Sequence, residues 1–195
     1  MIAVDQLSPD ALLAHARRLV GDGDDGTAEH ALDLRRAASS AYYAVFHELC
    51  FQAAAQVSGC PPGTDPPRVI VAHLARWFTH AAVADACDRA LSLGTLVIDP
   101  GWKASRSQTW HVLRGVDQRQ PPRHLLFAAE MIRFLRDVRH RADYDRLAVL
   151  NHDDVAQAVE KAEEVIELLR EHAASPPYRG FFVLVAMSAR RRMVG

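Results

Sequence analysis

The chain has 195 residues, 23 basic and 24 acidic side chains, a formal net charge of -1, and hydrophobic and charged shares of 49% and 24%. That length suggests one domain with enough core to fold without staples. The balanced charge excludes a chain held to nucleic acid by global basicity and leaves only a local patch.

Ser8-Pro9 opens the first helix, with Ser8 as N-cap and Pro9 in the first turn, and Leu12, Leu13, Ala16 and Leu19 form its stripe. The Gly/Asp run 21–26 ends it. A second helix runs from about Thr27 to about Val57, where Leu34, Ala38, Ala41, Tyr42, Val45, Leu49 and Ala53 recur at helical spacing. At about 1.5 Å per residue it is about 45 Å long. The proline-rich segment 60–67 is a loop. A third helix is expected from Val69 to about Thr79, and a fourth from Ala81 to Leu93, stopped by Gly94. Residues 95–98 form a short extended candidate, and 102–120 carry no clear pattern. Pro121-Pro122 opens a helix from about Arg123 to about Leu147. A last helix follows, capped near Asn151 or His152, with Asp153 and Asp154 in its first turn and Val155, Val159, Ala162, Ile166 and Leu169 facing inward. Pro176-Pro177 is expected to end it, and the apolar run 180–187 to form a strand or extended arm on the body or on a second subunit. The class is all-α. Alanine and arginine dominate, every basic residue except Lys103 and Lys161 being arginine, and both are good helix formers.

No apolar run approaches the about 18 residues of a membrane span, and the N-terminus lacks the basic and apolar regions of a secretory signal. Cys50, Cys60 and Cys87 read as reduced thiols, so a cytoplasmic protein is expected. Gly21, Gly23 and Gly26 satisfy G-x-G-x-x-G, but a helix precedes them and Asp22, Asp24 and Asp25 would repel a pyrophosphate. His47-Glu48 begins like a zinc-protease motif, but Phe51 stands where the second histidine belongs. Ser39-Ser40 has no recognisable base and reads as a packing pair. No metal and no cofactor is expected.

The informative segment is the arginine-rich helix. Ala128, Met131, Ile132, Leu135, Val138 and Ala142 share one face at about 100° per residue, and Arg139 falls within that stripe. Arg133, Arg136, His140 and Arg141 point elsewhere. A guanidinium on an apolar face is costly unless paired. Two explanations compete: a carboxylate such as Glu48 or Asp143 balances it, or the stripe lines a subunit interface or cleft that holds it for a phosphate, which its fork matches bidentately.

The run from Arg35-Arg36-Ala37-Ala38-Ser39-Ser40 through Ala41-Tyr42-Tyr43-Ala44-Val45-Phe46-His47 resembles the R-R-A-x-S-x-A-Y-Y-A-x-F-H helix of small prokaryotic HEPN-domain proteins. Arg139-His140-Arg141-Ala142-Asp143-Tyr144-Asp145 resembles their later R-[NH]-x-A-D-Y-D segment. His73-Leu74 with Trp77-Phe78 resembles a weaker feature between the two. The resemblance spans about 28–80 and 124–172. It implies a bundle of four to five helices over 1–175, with 81–122 an insertion and 176–195 a C-terminal extension.

The resemblance also implies a homodimer, RNA as ligand, and a toxin or defence role beside a nucleotidyltransferase-like antitoxin. The family's ribonucleases use R-x(4–6)-H without metal. On that pattern Arg139, His140 and Tyr144 are the catalytic candidates, and Arg133, Arg136, Arg141 and Asp143 the substrate-binding ones. From Arg139 the required histidine would fall at 144, 145 or 146, which hold Tyr144, Asp145 and Arg146. The register from Arg133 to His140 does satisfy R-x6-H. An imidazole can act as a base near neutrality, whereas a phenol is a poor one. The leading expectation is an RNA-directed toxin or defence component, with metal-independent endoribonuclease activity. The alternative is a non-catalytic HEPN interaction module that binds a nucleotidyltransferase-type partner or a nucleotide.

Overall fold

A computed structural model of the chain describes residues 8–21, 23, 26–59, 74, 77–95 and 121–191. Among the described residues there are six helices and no strand: α1 Pro9–Val20, α2 Ala28–Val57, α3 His80–Thr95, α4 Arg123–Tyr144, α5 His152–Glu171 and α6 Pro176–Arg191. The all-α class holds.

Local chemistry sets the helix starts. The Ser8 hydroxyl accepts from the Ala11 N–H at 3.1 Å, with Pro9 following, and Thr27 caps α2 through the His30 N–H. Thr79 does the same for α3 through Ala82, and Asn151 for α5 through Asp154 at 2.7 Å. Gly21 closes α1 at φ 67°, a backbone state that side chains with a Cβ disfavour.

The chain divides into two compact units, one of residues 1–48 and 131–167 and one of 49–130 and 168–195. In the first, Leu13 and Ala16 of α1, Ala38, Ala41, Tyr42 and Val45 of α2, Ile132, Leu135, Val138 and Ala142 of α4, and Val155, Ala162 and Ile166 of α5 are buried. Ala37 and Ala44 are fully buried as well, so α2 is covered well beyond a single stripe, and the small side chains let neighbouring backbones approach closely. Arg17 of α1 donates to Glu163 of α5 at the rim.

In the second unit α3 packs against α6. The buried Ser188 hydroxyl donates to the Asp85 carboxylate at 2.6 Å, and that carboxylate also holds Arg89 at 2.9 Å. Tyr178, Phe181, Phe182 and Val185 fill this core beside Ala82, Cys87, Ala90 and Leu125. At the start of α4 the His124 ring stacks on His172 with centroids 4.2 Å apart, and its Nδ1 lies 3.2 Å from the Tyr178 hydroxyl. Burial pushes the Tyr178 hydroxyl pKa up, and the Glu171 charge adds to the rise.

Four expectations need correction. The segment from 176 is a helix, not a strand or arm: Tyr178, Phe181, Phe182, Val185 and Ala189 recur at helical spacing and all are buried. Pro176-Pro177 therefore begins a helix; α5 has already ended at Glu171, and a turn over 172–175 separates the two. Gly94 does not stop α3, which continues to Thr95, because an isolated glycine weakens a helix by only about 1 kcal/mol. Finally α4 stops at Tyr144, short of Leu147, where the Asp145 carboxylate accepts from the N–H groups of Leu147 and Ala148 and turns the chain. Most of the expected third helix, 69–73 with 75 and 76, lies outside the described residues, as do the extended candidate over 96–98, the segment 102–120 and Cys60; Leu74 is helical and Trp77 is in a turn. Cys50 and Cys87 are buried and in no disulfide, and burial pushes the Cys50 thiol pKa far up, so Cys50 is not poised as a thiolate.

Candidate functional site

On α2 Arg36, Ser39, Tyr43 and His47 follow one another at steps of three and four, with Arg35 and Ser40 beside them on the same face. They form a polar stripe along a helix whose other faces are buried from residue 37 to residue 50. Across from it the last turns of α4 bring Arg139, His140, Asp143 and Tyr144, all within the first unit.

Arg139 is the centre. Its side chain is only 13% exposed, and its Nε lies 2.6 Å from Asp143 Oδ2, one turn further along α4. The N–H direction there is not that of a well-aligned hydrogen bond, so the contact is mainly Coulombic. Nη2 donates to the Tyr43 hydroxyl at 2.9 Å and to the Tyr144 hydroxyl at 3.3 Å. The guanidinium carbon sits 5.4 Å from the Tyr43 ring centre and 5.1 Å from that of Tyr144, so two aromatic faces add cation–π attraction. Burial opposes its charge, but Asp143, Tyr43 and Tyr144 outweigh that and hold its pKa above the ordinary value. Of the two carboxylates suggested by the sequence, Asp143 is the partner. The second Asp143 oxygen accepts from the Ser39 hydroxyl, so Ser39 is more than a packing residue. Tyr144 is 62% exposed, and the His140 ring lies against it with centroids 5.0 Å apart.

Arg35 has a different task. Its guanidinium donates to the carbonyls of Ala142 at 2.8 Å, Asp145 at 3.0 Å and Ala148 at 2.6 Å. Three acceptors around the C-terminal end of α4 absorb the fork, and this fixes where Asp143 and Tyr144 stand.

Beside this cluster α1 and α2 enclose a groove of about 450 Å³. His15 lines it from α1, and Arg36, Ser40, Tyr43 and His47 from α2, while Asp143 reaches it from α4. Arg36 is 69% exposed, with one loose contact to Asp33 at 3.6 Å. His47 packs against the rings of Tyr43 and Phe46, and burial lowers its pKa, so it is neutral at pH 7.

The residues expected from the sequence are therefore divided. Arg139, His140, Tyr144 and Asp143 come together. Arg136 bonds its neighbour Asp137 at 3.0 Å, and Arg133 and Arg141 are exposed; none of these three lines the groove. Sequence reasoning missed Arg36, Ser40 and His47 as groove residues, although their spacing on one helix face carries the signal. His15 had no signal, since nothing local marks it as facing α2.

Among the described residues no group of three or more His, Cys, Asp or Glu side chains is placed to hold a metal ion, and no helix is long and apolar enough to cross a membrane. No protein-family model, curated protein or solved structure matches the chain.

Proposed function

We propose that this chain is a HEPN-type, RNA-directed protein of a toxin or defence system, acting as a cytoplasmic homodimer and cleaving RNA without a metal. The observation that carries the reading is the gathering of Arg139, His140 and Tyr144 at one end of α4, with the Arg139 guanidinium oriented by Asp143 and Tyr43. In this reading Arg139 neutralises charge developing on the scissile phosphate, and a pre-oriented donor of this kind costs little reorganisation as the charge forms. His140, exposed at the surface, takes the proton of the attacking 2′-hydroxyl; as the 2′-oxygen bonds to phosphorus the P–O5′ bond breaks, the 5′-oxygen leaves with a proton from water, and a 2′,3′-cyclic phosphate remains. Tyr144 donates a hydrogen bond to a phosphate oxygen. Arg133, Arg136 and Arg141 add positive potential along α4. A second copy would cover Leu147 and Val149, which are 91% and 84% exposed next to the cluster.

A second reading has its own support. Asp143 already balances the Arg139 charge, and a phenol stands at Tyr144 where the ribonuclease pattern has histidine. Both features suit a non-catalytic HEPN module that binds a nucleotidyltransferase-type partner or a nucleotide.

RNA cleavage by purified protein in excess EDTA, beside Arg139→Ala and His140→Ala, separates the two. Cleavage that both substitutions abolish supports the ribonuclease. A folded, dimeric wild type that leaves several RNAs intact supports the interaction module. Cleavage that survives both substitutions removes the Arg139 cluster from the chemistry.

A further inference from the structure

Where α4 begins, the second unit gathers three rings that the Arg139 chemistry does not use. His124 of α4 stacks on His172, the residue after α5, with centroids 4.2 Å apart and planes 24° apart. The Tyr178 ring of α6 lies against both, 5.5 Å from His124 and 5.3 Å from His172, and its hydroxyl stands 3.2 Å from His124 Nδ1. The stack joins the start of α4, the end of α5 and the start of α6, all within one unit.

This junction is built to answer to protons. Tyr178 is fully buried, whereas both imidazoles are half-buried, so water reaches the rings that titrate near neutrality. A proton on His124 sets a cation against the His172 ring, and a second proton sets two like charges at stacking distance. The Glu171 carboxylate faces His124 and favours its charge, but burial and then His172 oppose that charge and prevail. The Tyr178 hydroxyl faces the same ring. Arg123, next to His124 on α4, is exposed, and Arg179 of α6 donates to Gln56 at 3.1 Å. The backbone carries a displacement of the rings onward. The His172 carbonyl accepts from the Ser175 N–H at 2.8 Å, and the Ser175 carbonyl from the Arg179 N–H at 3.0 Å, so a shift of His172 passes through the turn to the first turn of α6.

We propose that the His124–His172–Tyr178 stack is an acid-operated latch: protonation of its imidazoles releases the turn 172–175 and the first turn of α6 from the start of α4, while the helices of the first unit stay folded. The closed stack binds the His124 proton more weakly than the open one does. Opening is therefore held down above about pH 6.5 and rises by up to about tenfold per pH unit below it, until the closed form takes up the proton as well. The inference rests on the second unit and does not depend on the RNA reading.

The test is amide hydrogen exchange of the full chain at pH 7.5, 6.5 and 5.5, corrected for the intrinsic pH dependence of exchange. Opening over residues 172–182 is expected to rise about threefold or more from pH 7.5 to pH 5.5, and more than over residues 38–45 of α2. His124→Gln keeps a polar partner for the Tyr178 hydroxyl but takes up no proton, and should abolish the excess. His172→Gln leaves His124 in place without its stacked neighbour, and should reduce it. In the unmutated chain the imidazole NMR signal of His124 should titrate together with the ring signals of Tyr178, a readout that requires no variant to fold. A uniform response across both segments, an excess that survives His124→Gln, or a His124 titration that leaves Tyr178 unmoved overturns the proposal.

Discussion

Asp143 follows Arg139 by one helical turn and meets its guanidinium at 2.6 Å, while its other oxygen accepts from Ser39 on α2. The pair thereby ties α4 to α2 at the point where the sequence puts a charge into an apolar stripe. Asp143→Asn keeps the shape and removes the charge. With Arg139 only 13% exposed, the expected loss is about 1–3 kcal/mol in urea unfolding. An unchanged midpoint would mean a screened surface contact.

Arg35→Lys tests the end of α4. A lysine retains the charge but lacks the planar fork that reaches Ala142, Asp145 and Ala148 together. We expect about 2–4 kcal/mol of destabilisation, less than the sum of three independent bonds because they act as one unit. Amide exchange should also accelerate selectively over residues 142–148.

Stability should fall on acidification. Burial lowers the His47 pKa; burial and then the His172 ring lower that of His124, against an opposing pull from Glu171. Each histidine binds its proton more readily in the unfolded chain, where its pKa is about 6.5. Their stabilising contribution is therefore present above about pH 6.5 and is lost as the pH drops through the folded values. Urea midpoints should decline from neutral pH toward about pH 5, and His124→Gln should flatten the decline. An equally steep profile in that variant would remove His124 from the account.

Phe182→Ala tests the place of α6. The side chain is 1% exposed, so its removal should cost about 3–5 kcal/mol through lost burial and a residual cavity. A loss below about 1 kcal/mol would instead describe a loosely attached arm.

Much of this architecture was legible in local sequence. Ser8-Pro9, the polar caps and the spacing of Leu34 to Ala53 specify α1 and α2, because capping and amphipathic period act within a few residues. The stripe that contains Arg139 was legible for the same reason. The segment 180–187 was misread because its phenylalanines and valines favour a strand when taken as composition, while the placement of Tyr178, Phe181, Phe182 and Val185 against α3 selects the helix. The end of α4 was misplaced because it depends on Arg35, more than a hundred positions away in the chain. By itself, then, the sequence determined an all-helical chain, most of its helix starts, and an arginine needing a partner. Only the tertiary structure decided that Asp143 and two phenols are that partner, and that His15 faces Arg36 and His47 across a groove. Helix period and capping are local, whereas the pairing of charges and the walls of a groove are set by which helix faces meet.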